Sequence, residues 1–278
     1  MAEITIAVEA IIGGSKSTLL KSVENNRLGS HLNPLLSRPD EVKVHRESEA
    51  VLRYVDNQFY PAFYLPSNEV LLQTGHQKYP VFKATKSELL FLSQINILLA
   101  HIKEEMDDRK RGGVTFWERS RFSMKHVFVK NLRQQNAFTP DQNRVYDFLF
   151  NHSTHVLHPP DLFVYLYTKP ETAFKRMQKR RKSGEGLAAD EDLPIEYFRV
   201  LHDLHEEMFN VELPDMFRKL GLDPRDTILF IDADKDLNEH EFIGFHQYIL
   251  DRITKVLMQR KLSSGQLSID LRRDKPAE

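Results

Sequence analysis

Cysteine is absent from all 278 residues, so the chain can form no disulfide, no thiolate metal site and no catalytic thiol. That absence suits a reducing compartment. Neither sign of charge is in excess: 39 basic side chains face 40 acidic ones, and a net charge of −1 gives no global field toward nucleic acid or an anionic membrane. No nucleic acid polymer is therefore expected as a partner. Long apolar runs are missing as well, since nothing approaches the roughly 18 residues that span a bilayer, and no membrane partner is expected. Met1-Ala2-Glu3 carries no basic region, and the apolar stretch behind it is too short for a signal. The expected compartment is the cytoplasm, with a mitochondrial address left open. Internal repeats and composition-shifted linkers are also missing. One unit is expected over 1–262, followed from Ser263 by a polar, charged tail (263–278) expected to be disordered.

What is present is an alternation of β-rich and helical segments, the pattern of a parallel sheet covered on both faces. Ile4 to Val8 reads as a strand running into the small-residue stretch Gly13-Gly14-Ser15, with a helix from about Lys16. Val42 to His45 is a second strand, ending at Arg46-Glu47. Helical spacing covers about Thr85 to Arg109, with Leu89, Leu92, Leu99 and Ile102 on related faces. Val114 to Trp117 is the next strand, ending at Glu118-Arg119-Ser120. Thr139-Pro140-Asp141 supplies a helix cap with proline in the first turn. Leu162 to Tyr167 is a strand, and Pro170 opens a basic helix. Residues 182–192 read as a mobile surface loop, a long helical region follows Pro194, Thr227 to Ile231 is a last strand, and His240 to Lys261 a last helix.

The segment from Glu9 to Thr18 sits where a strand turns into a helix. A phosphate cradle needs that placement, because the N–H groups of the helix start point at the anion. Lys16 would add a point charge on the outer phosphates and Ser17 a hydroxyl for Mg²⁺. The pattern G-x-x-x-x-G-K-[ST] is not met, since Ala10 and Ser15 occupy its two glycine positions. Taken alone, the segment also reads as a plain small-residue turn before a helix.

Two further segments narrow the choice. Glu118 to Leu132 reads Glu-Arg-Ser-Arg-Phe-Ser-Met-Lys-His-Val-Phe-Val-Lys-Asn-Leu. Downstream, Arg176 and Arg180 precede Pro194, Ile195, Glu196, Tyr197, Phe198, Leu201, His202, His205 and Glu206. With the loop, these resemble the deoxynucleoside kinase family, whose signatures are E-G-x-I-G-x-G-K-S-T, then E-R-S followed by x-x-S-D-R-x-V-F-x-x-N-L, then R-x-x-x-R, a lid and P-[LI]-E-Y-[LF]-x-x-L-H-x-x-H-E. The resemblance spans most of residues 4–233. It implies an α/β P-loop kinase fold with about five parallel strands, flanking helices and a helical lid. It also implies ATP and Mg²⁺ as cofactors, a deoxynucleoside as substrate and a homodimer.

The resemblance further implies roles for single residues. Gly13, Gly14, Ser15, Lys16, Ser17 and Thr18 would hold the nucleotide phosphates, with Ser17 and Glu118 on the metal. Glu47, at the place of the family's E-P-[VI] carboxylate with Ser48 for the proline, would accept the 5′-hydroxyl proton. Arg119 would clamp the phosphates and the 5′-oxygen, and Arg176 and Arg180 would stabilise the transferring phosphoryl. Gln94 would read a base edge through its amide, and Phe128 would stack on the base. Tyr79 is the candidate aromatic near the sugar, and Asp190 or Glu191 the candidate for the 3′-hydroxyl. Without the resemblance, a strand-end Glu is ordinary surface, Glu118-Arg119 a structural ion pair, Phe128 plain core and the arginines a solvated helix face.

Two departures bear on function. Met124 stands where the family has Asp and His101 where it has Arg, so the charge pair beside the base is lost as a whole, leaving no partner stranded. At Ser15, a left-handed backbone would strain the residue by roughly 1–2 kcal/mol. Two functions follow: an active kinase with altered base choice, and a catalytically weakened kinase-fold protein serving as a binding or assembly subunit.

Overall fold

The computed structural model describes residues 3–25, 42–46, 69–72, 82–111, 113–183, 193–235 and 237–263. Glu47, Tyr79, Asp190, Glu191, most of the loop at 182–192 and the tail from 264 lie outside the described residues.

Five strands form one parallel sheet: β1 (Glu3–Glu9), β2 (Val42–His45), β5 (Gly113–Glu118), β6 (Leu162–Tyr167) and β7 (Ile228–Asp232), in the order β2-β5-β1-β6-β7. The register pairs Val8 with Glu118 and Glu9 with Tyr165, so the ends of the three central strands meet along one edge. Alternation along β1 and β6 explains why both faces are buried. Ile4, Ile6, Val8, Leu162, Val164 and Leu166 pack on one side with Leu19, Leu20, Phe242 and Ile249. Ala7, Phe163 and Tyr165 face the opposite cluster, built with Phe122, Phe150, Phe198 and Phe209.

The helices that cover these faces are α1 (Lys16–Asn25), α2 (Lys86–Arg111), α3 (Arg121–Ser123), α4 (Lys130–Gln134), α5 (Pro140–Val156), α6 (Pro170–Lys182), α7 (Ile195–Glu207), α8 (Leu213–Lys219), α9 (Pro224–Thr227) and α10 (Glu239–Ser263). Several starts are written locally. Thr139 and Gln142 form a reciprocal capping box on α5, with Pro140 in its first turn. Thr85 and Glu88 make the equivalent exchange on α2, where Glu88 accepts from the Thr85 amide at 2.7 Å. α1 and α10 pack on the same sheet face and are tied by Ser22 Oγ and His246 Nε2 at 2.9 Å.

The structure adds features to the sequence reading and shifts others. A two-stranded antiparallel ribbon, β3 (Glu69–Leu72) with β4 (Phe82–Thr85), precedes α2. Thr227 belongs to α9, so the last strand opens one residue later, at Ile228. Of the four side chains on α2, Leu89 is buried and Ile102 half-buried, while Leu92 and Leu99 are exposed. Among the described residues two wide π-helical turns, Met124–Val129 and Met208–Glu212, interrupt otherwise α-helical stretches. They are joined by His126 Nδ1 to Glu212 Oε2 at 2.5 Å and Lys130 Nζ to Glu212 Oε1 at 2.9 Å.

Candidate functional site

The carboxyl edge of the sheet gathers the loop, Glu118 and Arg119. After β1 the chain turns through Gly13, whose φ of +77° suits glycine, and an added Cβ there would collide with the carbonyl oxygen of Ala173 on α6. At Gly14 an added Cβ would lie 2.5 Å from the Ala10 methyl. Ala10 is therefore tolerated because its neighbour across the turn has no side chain. Ser15 does adopt the left-handed backbone, with φ of +66°. Its carbonyl accepts from Thr18 and Leu19 and so starts α1. The first amides of a helix have no partner within it, so the start of α1 suits an anion. Lys16 is buried beneath them and donates through Nζ to the carbonyls of Ala10 and Ile11, at 3.2 and 3.3 Å.

Ser17 and Glu118 come from sequence positions 101 apart, yet Ser17 Oγ donates to Glu118 Oε1 at 3.3 Å. Among the described residues no three His, Asp or Glu side chains cluster for a metal. A hydroxyl and a carboxylate fit Mg²⁺ all the same, because that ion keeps waters and phosphate oxygens as its other ligands. The loop that Gly13 and Gly14 keep clear, the buried Lys16 and the Ser17–Glu118 pair together fit a nucleotide phosphate chain with its metal.

Arg119 follows β5 in a left-handed conformation (φ +72°), its amide still bonded to Val8 O at 3.0 Å. The turn directs the buried guanidinium over the Phe128 ring, 4.5 Å from its centroid. Ser120 then caps α3. Two expected site residues, from the phosphate side and the base side, are thus in contact. Gln94 on α2 is buried. Met124 belongs to an apolar cluster with Phe122, Val127 and Leu98, and His101 lies against Trp117 with ring centroids 6.0 Å apart. Arg176 on α6 reaches the loop through Ser15, and Arg180 lies one turn further along, half-buried. β2, which leads toward Glu47, runs parallel to β5 and ends at the same edge.

Two buried groups behind the loop carry no role in the sequence reading. Glu9 is fully buried, and burial pushes its carboxyl up to about 7, with Ser120, Arg119, Ser123 and Lys16 offsetting only part. His205, also fully buried, bonds Leu201 O through Nδ1 at 2.7 Å, and its Nε2 has no hydrogen-bond partner among the described residues. Burial holds it down near 3, the Leu201 bond opposing and the charges of Arg119 and Lys16 assisting. Both groups are therefore uncharged around pH 6. The signal in the sequence was an acid and a histidine set inside apolar strand and helix faces.

The deoxynucleoside kinase family model matches residues 6–257. The chain belongs to the deoxynucleoside kinase family. Its parallel sheet with flanking helices is the P-loop kinase fold of that family. Similar proteins include human mitochondrial thymidine kinase 2, 30% identical over 119 residues, which are 41% of this chain and 40% of that protein. Human deoxycytidine kinase is 27% identical over 61% of this chain and 63% of its own length. Chicken deoxycytidine kinase 2 is 24% identical over 91% and 89%. The matched stretches thus span less than two thirds of the two human kinases. Among the described residues of this deoxynucleoside kinase family member, no helix is long and apolar enough to cross a membrane.

Proposed function

We propose that the chain is an ATP-dependent deoxynucleoside 5′-kinase, with nucleotide salvage as its role. The observation that carries this reading is the Ser17–Glu118 hydrogen bond beside buried Lys16, at the edge where β1 and β5 end. Lys16 and the loop from Gly13 to Thr18 bind the ATP phosphates. Ser17 and Glu118 hold Mg²⁺, which when bound neutralises charge on the phosphate oxygens. Arg119 clamps the phosphates and the 5′-oxygen from its place over Phe128, and Phe128 stacks on the base. Gln94 reads a base edge beside Met124 and His101. Arg176 and Arg180 balance charge on the transferring group. Glu47 takes the 5′-hydroxyl proton, while Tyr79 and Glu191 serve the sugar. A second reading, a weakened kinase-fold binding subunit, draws on the strained backbone at Ser15.

Turnover of ATP against a panel of deoxynucleosides, with monophosphate measured directly, decides between them. The kinase reading expects monophosphate formation, with Glu47→Gln lowering kcat by about 10²–10⁴-fold while nucleotide still binds. No monophosphate with any deoxynucleoside would leave only the second reading.

We also propose a homodimer. Leu92, Leu99 and Met106 recur every seven residues as exposed apolar side chains on α2, and Val145 and Phe148 are exposed on α5, which packs beside it. Such a face suits the same two helices of a second copy. Light scattering of the wild type and Phe148→Glu should give a dimer and a monomer; a monomeric wild type at micromolar concentration overturns it.

A further inference from the structure

Arg176 is held unusually well for a cation on a helix face. Its Nη1 donates to Ala233 O at 2.9 Å and to Ser15 Oγ at 3.2 Å, and its Nη2 to Asp234 O at 3.3 Å and Lys235 O at 2.5 Å. Three of these acceptors are backbone carbonyls of the turn after β7. That turn is itself fixed: Ala233 N donates to Tyr167 O at 2.8 Å, and Lys169 N to Asp234 Oδ1 at 3.0 Å. The carbonyls of Ala233 and Asp234 thus belong to residues bonded back to Tyr167 and Lys169, at and just after the end of β6. The Ser15 acceptor is freer, because a serine hydroxyl turns about one bond.

Ser15 is also the residue a glycine would replace without strain, being left-handed at φ +66°. Its side chain is retained in a costly conformation, and that side chain touches the guanidinium. We infer that Ser15 is a positioning residue. Its hydroxyl joins the phosphate loop to Arg176 and stands in for a phosphate oxygen, releasing one N–H of Arg176 when nucleotide binds. Among the described residues, three main-chain carbonyls hold the guanidinium, and the exchangeable hydroxyl belongs to the loop. The inference rests on the nucleotide-binding reading above for its ligand, but the Ser15–Arg176 tie belongs to the ligand-free protein.

A double-mutant cycle tests it, using wild type, Ser15→Gly, Arg176→Gln and the double variant. Thermal unfolding without ligand and affinity for Mg·ADP are both measured. Ser15→Gly alone should tighten ADP about 5-fold, because it removes the bond that nucleotide must displace, whereas in the Arg176→Gln background the same change should be neutral. Ser15→Asn, which tolerates the left-handed region and keeps an acceptor, should stay within about 2-fold of wild type. The unfolding temperatures should be non-additive as well. Equal improvement by Ser15→Gly in both backgrounds, or additivity within about 2-fold with additive unfolding shifts, overturns the inference. Should no variant bind ADP, the nucleotide reading fails, and the unfolding cycle alone still decides whether Ser15 and Arg176 are coupled.

Discussion

The proposed phosphate end and the proposed base end of this site depart from the family pattern in opposite ways. At the phosphate end the polar groups are kept and the backbone is altered: Lys16, Ser17, Glu118 and Arg119 stand together, while Ala10 and Ser15 replace glycines and Gly14 takes up the lost space. At the base end the helical frame is kept and the charges are changed. Met124 lies in an apolar cluster and His101 against Trp117, and a different ion pair, Arg121 with Glu105, lies nearby on the same elements. Glu105 follows His101 by one helical turn, and Arg121 precedes Met124 by three residues. Arg121 is fully buried and also donates to Leu157 O at 2.7 Å and His158 O at 3.0 Å. On the proposed reading, phosphate binding keeps its charged groups because every substrate shares it, whereas the groups expected to set base choice have changed charge.

The comparison breaks most visibly if the phosphate end tolerates loss of charge. Lys16→Ala should lower kcat/KM by about 10²–10³-fold and weaken ATP, while leaving the ratio of kcat/KM between thymidine and deoxycytidine unchanged. A changed ratio in steady-state kinetics would show that the two ends are not separable.

At the base end, Arg121→Met should destabilise by about 3–5 kcal/mol, because it strands the Glu105 carboxylate in the interior. Arg121→Met with Glu105→Leu should lose much less in denaturant unfolding. Met124→Asp alone should be destabilising for the same reason. Paired with His101→Arg it should recover and shift kcat/KM from thymidine toward deoxycytidine; additive effects across the four proteins would show these two residues do not act on the base together.

The smallest effect concerns the groups between the two ends. Glu9 binds its proton more tightly folded than unfolded, so its contribution is full below about pH 4.5 and falls as pH rises toward 7. The loss amounts to about 3 kcal/mol by pH 8. Glu9→Gln should therefore stabilise the protein more at pH 8 than at pH 5 in thermal unfolding. A difference that shrinks with rising pH would mean the carboxyl is not held neutral.

The strands β1, β5 and β6 were legible because each is a run of buried apolar residues bounded by turn chemistry, as were the starts of α5 and α6, marked by proline. The ribbon β3–β4 was not: β2, equally short, alternates as Val-Lys-Val-His, whereas β3 reads Glu-Val-Leu-Leu with no period of two. Leu92 and Leu99 had the spacing of a core face and lie exposed, because periodicity marks a face but not what covers it. In the site, Lys16, Ser17 and Glu118 could be named from signatures. The Ser15–Arg176 bond could not, because it joins residues 161 apart through one side-chain atom each. The Arg121–Glu105 pair was not read from the sequence either, because it joins two elements through side chains 16 residues apart.

The π-helical turn at Met124–Val129 makes chain length there matter more than residue identity. An α-helix advances about 100° per residue, so the extra residue wound into this turn sets the angular phase between what lies before and after it. Arg119 and Ser120 stand on one side of that phase step, Asn131 and α4 on the other, with Phe128 within it. Deleting one residue would let the turn rewind as ordinary α-helix and swing Phe128 from beneath the Arg119 guanidinium, although every side chain named in the site would still be present.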